Sequence, residues 1–178
     1  MKKLNLGCEK DYREGYVNLD YNKLFNPDVV HDLNKFPYPF KKDYFDEIYC
    51  SHILEHVDDF FKTMHELLRI TKIGGIIHIR VPNFSNGWAY GDLTHKRFFG
   101  WKSFDHLVDK KLSPQFNFKI IDKHYNFFSP DYPSINFCFN WFFRIIHKGL
   151  YERFWCWIMP VHEIELKLQK TAQEQKEW

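Results

Sequence analysis

The sequence predicts an α/β fold, a mostly parallel central sheet flanked by helices with the first helix shortened. Three observations carry this. Two short apolar runs, Leu4 with Leu6 and Tyr16 with Val17 and Leu19, stop at Gly7 and Asp20, as strands do when they end in functional corners. Residues 45–50, 59–70 and 76–81 follow the order strand, amphipathic helix, strand, which is a crossover connection and makes the sheet parallel. The interval from Gly7 to Asp20 leaves room for little more than one helical turn, so the first helix must be brief.

Each later element has its own signal. Residues 28–32 suit a short third strand, followed by a turn before Pro37 and Pro39. Asp58 is placed to cap a helix over residues 59–70, whose Phe60, Met64, Leu67 and Leu68 share a face, and Gly74 with Gly75 ends it. Residues 76–81 form a strand stopped by Pro82. Residues 83–100, rich in Gly, Asn and aromatics, read as a long functional loop. Residues 101–108 suit a helix and 116–128 a bent strand, while 161–168 alternate apolar with polar as a closing strand. Residues after Lys170 are polar and expected to fray. No repeat, low-complexity tract or linker divides the chain. A single domain over 1–178 is expected, with 1–110 as its core and 111–178 adding C-terminal strands and an aromatic element.

Aromatic residues make up 20% of the chain, enough to fill a core, a pocket or an interface. They crowd into residues 134–160, where Phe137, Phe139, Trp141, Phe142, Phe143, Tyr151, Phe154, Trp155 and Trp157 would take nearly the full circumference of any helix. Such a surface needs cover from the core, a twin subunit in a homodimer, a greasy substrate or a peripheral membrane contact. Arg144, His147, Lys148, Glu152 and Arg153 interrupt the stretch and keep it from spanning a membrane. A net charge of +2 gives no electrostatic case for nucleic acid. Cys8, Cys50, Cys138 and Cys156 show no C-x-x-C spacing, which fits a reducing compartment. With a chain that opens directly on strand residues, a cytoplasmic location without a signal peptide is expected.

The chemistry begins at the two corners. Gly7 has no Cβ, so the chain can turn sharply and a ligand can lie against bare backbone. Asp20, at the tip of the next strand, can accept hydrogen bonds from both hydroxyls of a ribose. Glu9 stands where a pyrophosphate would lie and repels one, which disfavours NAD and FAD. A ligand with adenosine and no phosphate has no such conflict.

Leu4-Asn-Leu-Gly-Cys8, Val17-Asn-Leu-Asp20, His31-Asp-Leu33, the run from Phe45 through Ser51-His-Ile-Leu-Glu-His56 to Val57, and Ile73-Gly-Gly to Pro82 together resemble the ordered motifs of class I S-adenosylmethionine-dependent methyltransferases, a Rossmann-like fold. The likeness is to the small bacterial and archaeal type found with glycan, lipid or natural-product pathways, and it covers roughly residues 2–110. The chain departs from it at Glu9, where the family usually has a second glycine. The resemblance implies S-adenosylmethionine as cofactor, held by Leu6, Gly7, Cys8, Asp20, Tyr21, Asp32, Leu33, Ser51 and His52. It places the adenine at Asp32 and Leu33, where a carboxylate can accept from the exocyclic amine and a backbone N–H can donate to a ring nitrogen. It also sets residues 91–99 beside a small-molecule acceptor.

Methyl transfer needs alignment and exclusion of water more than it needs a metal, and no metal is expected. A hydroxyl acceptor calls for a base, and His52 and His95 are the catalytic candidates. Each has a plainer reading: His52 lines the methionine end of the cofactor site, and His95 bonds loop backbone. Lys96 and Arg97 either hold an anionic acceptor or form a solvated loop face, Arg80 reaches solvent, and Cys8 and Cys50 pack as small apolar residues. The expected function is methyl transfer to a small-molecule or glycan-pathway acceptor at oxygen. Two alternatives stand beside it: a cofactor-binding protein without turnover, and a zinc hydrolase in which His52, Glu55 and His56 satisfy H-x-x-E-H.

Overall fold

The computed structural model describes residues 1–129, 132–142 and 148–172. Its strands are β1 (Lys3–Leu6), β2 (Val17–Asp20), β3 (Val29–Val30), β4 (Phe45–Ser51), β5 (Thr71–Pro82), β6 (Phe118–Asn126) and β7 (Glu163–Lys170). They form one sheet in the order β3-β2-β1-β4-β5-β7-β6. Pairing is parallel from β3 through β5, and β7 enters antiparallel between β5 and β6. The helices are α1 (Phe60–Ile70), α2 (Gly87–Gly91), α3 (Asp105–Val108), α4 (Pro133–Phe142) and α5 (Lys148–Phe154).

The shortening of the first helix goes further than the spacing suggests: residues 7–16 make turns only. Buried asparagines on the flanking strands explain this. The Asn5 amide donates to the Asp11 carbonyl and to Asn18 Oδ1 (2.6 and 3.0 Å), while Asn18 Oδ1 also accepts the Arg13 N–H. Backbone groups that a helix would pair internally are bound to side chains instead.

Other boundaries shift for local reasons. Asp59, not Asp58, caps α1, its Oδ1 accepting the Lys62 N–H, and Asp58 pairs with Lys96. The helix ends at Ile70, well before the glycines. Thr71 is already extended while its N–H still reaches the Leu67 carbonyl, and β5 then runs through Gly74 and Gly75. Those glycines serve an irregularity in β4–β5 pairing: Gly74 has φ +80°, and a Cβ on Gly75 would lie 2.8 Å from Thr71 Cγ2 and 2.9 Å from the Lys72 carbonyl oxygen. Of the helix expected over 101–108 only α3 forms, whereas the bent strand is β6, with a register shift between Ile120 and Asp122.

The aromatic stretch becomes α4 and α5; Phe143, Arg144 and His147 lie outside the described residues. Tyr151 is buried and joins the core, packing near Tyr125 and Phe127. Phe137, Trp141, Phe154 and Trp157 stay exposed. No helix among the described residues is long and apolar enough to cross a membrane.

The two faces of the sheet differ sharply. On one, Leu4, Ile48, Ile77 and Leu168 align across four strands, as do Leu6, Cys50, Ile79 and Leu166, all fully buried in the core with Met64 and Leu67 of α1. On the other, Asn5, Tyr49, His78 and Lys167 align. Beside them Arg80 donates to Glu163 (2.9 Å from both Nε and Nη2) and to the Tyr49 hydroxyl (3.0 Å). Glu165 pairs with His78 (2.6 Å) and accepts from Asn126 (3.0 Å). The Arg13 guanidinium lies 3.6 Å over the Tyr49 ring. Partners on this face come from strands and neighbouring loops; among the described residues no helix takes part in these bonds. Arg80 is therefore not a side chain reaching into solvent but one held across two strands.

Candidate active site

The carboxyl ends of β1, β2 and β4 meet at one edge, where ligands of open α/β sheets bind. Gly7 turns there with φ +66°, and a Cβ on it would lie 2.6 Å from Ile53 Cδ1 and Cγ1, so only glycine lets Ile53 approach. The N–H groups of Gly7 and Cys8 both donate to the Leu19 carbonyl (2.8 and 3.0 Å), fixing the β1 corner to β2. Asp20 is 3% exposed and completes the clamp: its Oδ2 accepts the Glu9 N–H (3.0 Å) and its Oδ1 the Asn22 N–H (2.8 Å). Glu9 adopts φ 39°, the left-handed region that favours the glycine usual at this position.

Three adjoining hollows open along this edge, and Ile53 touches all of them. One of about 250 Å³ is lined by Gly7, Cys8, Glu9, Ser51 and His52. A second of about 290 Å³ lies between Tyr21, Asp32, Leu33 and Val57. The third, about 790 Å³, shares Glu9 and His52 with the first and Tyr21 and His56 with the second. It extends to Asn86, Trp88, Asp92, Thr94, His95 and Lys96. Eight of the residues expected from sequence thus line one cleft: Gly7, Cys8, Tyr21, Asp32, Leu33, Ser51, His52 and His95. Leu6 and Asp20 do not line it. Both are buried beneath its floor, and Asp20's oxygens already serve backbone.

His52 is tied to the polar face of the sheet. Its Nε2 lies 2.9 Å from Glu163 Oε2 and its Nδ1 3.5 Å from Glu55 Oε1. Burial would lower its pKa, but the bond to Glu163 and the nearby Glu55 outweigh that and raise it to about 9. Glu163 is the counterpart: burial pushes it up, yet the bonds from His52 and Arg80 and the Arg80 charge bring it down to about 2. Both ring nitrogens of His52 are thus directed at carboxylates, which favours its cationic form over that of a proton acceptor. Burial and the neighbouring Asp20 push the Cys8 thiol up to about 11, so it is a packed thiol and no nucleophile.

His95 is held differently. Its Nδ1 lies 2.8 Å from the Ala89 carbonyl, which can only accept, so the proton sits on Nδ1 and Nε2 keeps its lone pair. Arg97 is not free for an anionic acceptor, because its guanidinium donates to the carbonyls of Leu54, Val57 and Asp58. Ile53 falls within the quoted 45–57 motif and Thr94 within the 91–99 loop, but sequence reasoning missed Asn86 and Trp88 as cleft residues. They carry no motif, and only the length of the 83–100 loop signalled that region. Of the H-x-x-E-H residues, Glu55 and His56 converge with His95 and not with His52, residues 52–56 forming turns.

Residues 10–79 match the family model described as a methyltransferase domain. Among solved structures, an S-adenosylmethionine-dependent methyltransferase from Archaeoglobus fulgidus is 18% identical, with a TM-score of 0.56 over 95% of this chain and 86% of its own. A Bacillus halodurans protein described as a methyltransferase is 16% identical, with a TM-score of 0.59 over 96% of this chain and 93% of that one. One chain of a Haloferax volcanii complex between the Trm112 methyltransferase activator and a methyltransferase is 14% identical, with a TM-score of 0.58 over 96% and 83% of the two chains. No curated protein gives a significant match. The fold is that of class I methyltransferases. Fold and family model together support a class I, S-adenosylmethionine-dependent methyltransferase, with S-adenosylmethionine the cofactor they imply. The cleft fits that cofactor in its own chemistry, with a glycine cradle, two apolar walls in Tyr21 and Ile53, and a cationic His52 at the end opposite Asp32.

Proposed function

We propose that this chain methylates a hydroxyl of a small, polyhydroxylated acceptor of the kind met in glycan pathways. The observation that carries this is the third hollow. Its lining combines the hydrogen-bonding side chains of Asn86, Asp92, Thr94 and Lys96 with the indole of Trp88, which is 76% exposed. Such a mixture of polar groups and one flat apolar surface suits a sugar-like ring. S-adenosylmethionine supplies, when bound, a methyl group made electrophilic by its sulfonium. Asp32 and the Leu33 N–H take the adenine, Tyr21 and Ile53 wall the adenosine, and Ser51 with cationic His52 holds the amino-acid end. His95, with its Nε2 lone pair free, accepts the acceptor's proton.

Calorimetric titration with S-adenosylmethionine and S-adenosylhomocysteine tests the cofactor assignment. Asp32→Ala removes the carboxylate assigned to the adenine's exocyclic amine, and should weaken binding by about 1–3 kcal/mol. No binding to either compound by the wild type would defeat the proposal. His95→Ala should lower kcat for an oxygen acceptor by about 10²- to 10⁴-fold, and an unchanged kcat would remove His95 from the mechanism. The second reading, a binder without turnover, is favoured by Glu9, whose carboxylate borders two of the three hollows. Tight cofactor binding with no methylation of any hydroxylated acceptor would select it. We further propose that exposed Phe137, Trp141, Phe154 and Trp157 mediate association of this chain with a second copy. Light scattering with and without detergent checks this, and a monomer in both conditions sinks it.

A further inference from the structure

Beyond methyl transfer, the cleft carries a second constellation. Glu55, His56 and His95 each offer a ligand atom, and these atoms all lie within 4.8 Å of one another. Glu55 is 0% exposed, and neither of its carboxylate oxygens has a hydrogen-bond partner. Its nearest cation is His52, at 3.5 Å and without hydrogen-bond geometry. A buried carboxylate left in that state is costly unless something compensates it.

Both histidines point toward the same answer. Thr94 Oγ1 donates to Asp92 Oδ1 (2.6 Å), so the 2.9 Å contact between Thr94 Oγ1 and His56 Nδ1 is a bond donated by the histidine. His95 Nδ1 donates to the Ala89 carbonyl. Each ring therefore has its Nδ1–H fixed by an oxygen and its Nε2 lone pair free. That is the arrangement which orients a metal-binding histidine and sharpens its basicity. The two rings lie 4.7 Å apart between centroids. Asp92 Oδ2, 3.9 Å from His95 Nε2, adds negative potential beside them.

We propose that Glu55, His56 and His95 bind a divalent first-row transition-metal ion, such as Zn²⁺ or Mn²⁺, with open positions facing the third hollow. Two imidazoles and one carboxylate favour such an ion over Mg²⁺ or Ca²⁺, which prefer oxygen ligands. Bonds of about 2.0–2.2 Å to a single ion require the three groups to close by roughly 1.5 Å, within reach of side chains carried on turns. The ion's work, which rests on the methyl-transfer reading, is to bind the acceptor hydroxyl. A metal–oxygen bond forms, the O–H bond breaks, and its proton leaves to solvent through the open mouth. His95 then acts as ligand in place of base.

The test is calorimetry on chelator-stripped full-length protein titrated with Zn²⁺, Mn²⁺ and Mg²⁺ in turn. One Zn²⁺ or Mn²⁺ should bind per chain, with Mg²⁺ far weaker. His56→Ala and His95→Ala should each weaken it at least about 100-fold, the upper range for losing even an outer partner, while His65→Ala, on the exposed face of α1, leaves it unchanged. Thermal melts guard against misfolding. Metal should raise the melting temperature of the wild type and not of Glu55→Gln. Absence of a one-to-one site, or binding indifferent to His56 and His95, overturns the proposal. Titrating S-adenosylmethionine into the same metal-free protein separates the two ideas. Cofactor binding without metal binding leaves His95 as the direct base, and metal binding without cofactor binding keeps the site while ending the methyltransferase reading.

Discussion

The two faces of the central sheet solve the same problem by opposite means. On the helix-covered face, Leu4, Ile48, Ile77 and Leu168 and the row beside them are removed from water by α1. On the other, the connections after β1 and β2 contain no α-helix, and the strands carry Asn5, Tyr49, His78, Arg80, Glu163 and Glu165, which bind one another. Burial of apolar area holds the first face, with no directional demand. Paired charges hold the second, and each depends on its partner being present. The difference teaches that this fold can dispense with a layer of helices if the strand positions left without one become a self-satisfied polar network. It also teaches that the network reaches the active site, because Glu163 bonds both Arg80 and His52.

Breaking the polar face should have the largest effect. Glu163→Ala leaves Arg80 without its carboxylate, with only the Tyr49 hydroxyl to accept from it, and should cost about 3–5 kcal/mol in denaturant unfolding. The pH dependence gives a sharper signature. Glu163, lowered from 4.5 to about 2, contributes stability that is present above pH 4.5 and lost as pH falls toward 2. His52, raised from 6.5 to about 9, contributes stability that is present below pH 6.5 and lost as pH rises through 9. Glu163→Ala should therefore flatten both limbs relative to wild type, with Glu55 still supporting part of the basic one; identical profiles would detach Glu163 from His52.

The apolar face should fail without that pH signature. Leu166, fully buried, should lose about 2–5 kcal/mol as Leu166→Ala, evenly across pH. A loss under about 1 kcal/mol, outside the usual range for a sealed core, would show that α1 and its neighbours do not close this side. The smallest change lies at the junction of the two faces. Glu9→Gly relieves a left-handed backbone and should stabilise by about 1 kcal/mol, and it removes a carboxylate from the cleft. Cofactor titration should tighten several-fold; weaker binding would mean that Glu9 contributes a contact instead of repelling one.

Much of this was legible in the sequence, and the reasons are specific. Gly7 and Asp20 mark strand ends because one must turn and the other must accept hydrogen bonds, so β1, β2 and most of the residues that line the cleft could be placed. The strand order of β4, α1 and β5 follows from periodicity. The bare face was half visible. Parallel strands covered on both sides read as continuous apolar runs, and Ile77-His78-Ile79-Arg80-Val81 alternates instead. What could not be read was pairing at long range. Nothing near Arg80 or His52 in sequence announces Glu163, and nothing near Glu55 announces His95. Position 58 lost the helix cap to position 59 by one residue, a choice set by which aspartate the loop leaves free.

The place of β7 has a consequence for the order in which the protein becomes competent. β7 is the last strand in the chain, yet it sits between β5 and β6, and it brings Glu163 to a histidine 111 positions earlier. A nascent chain that has already emitted every residue lining the cleft still lacks the carboxylate that charges and aims His52. His52 therefore takes its paired form only with β7 in place between β5 and β6, a contact of long range in sequence.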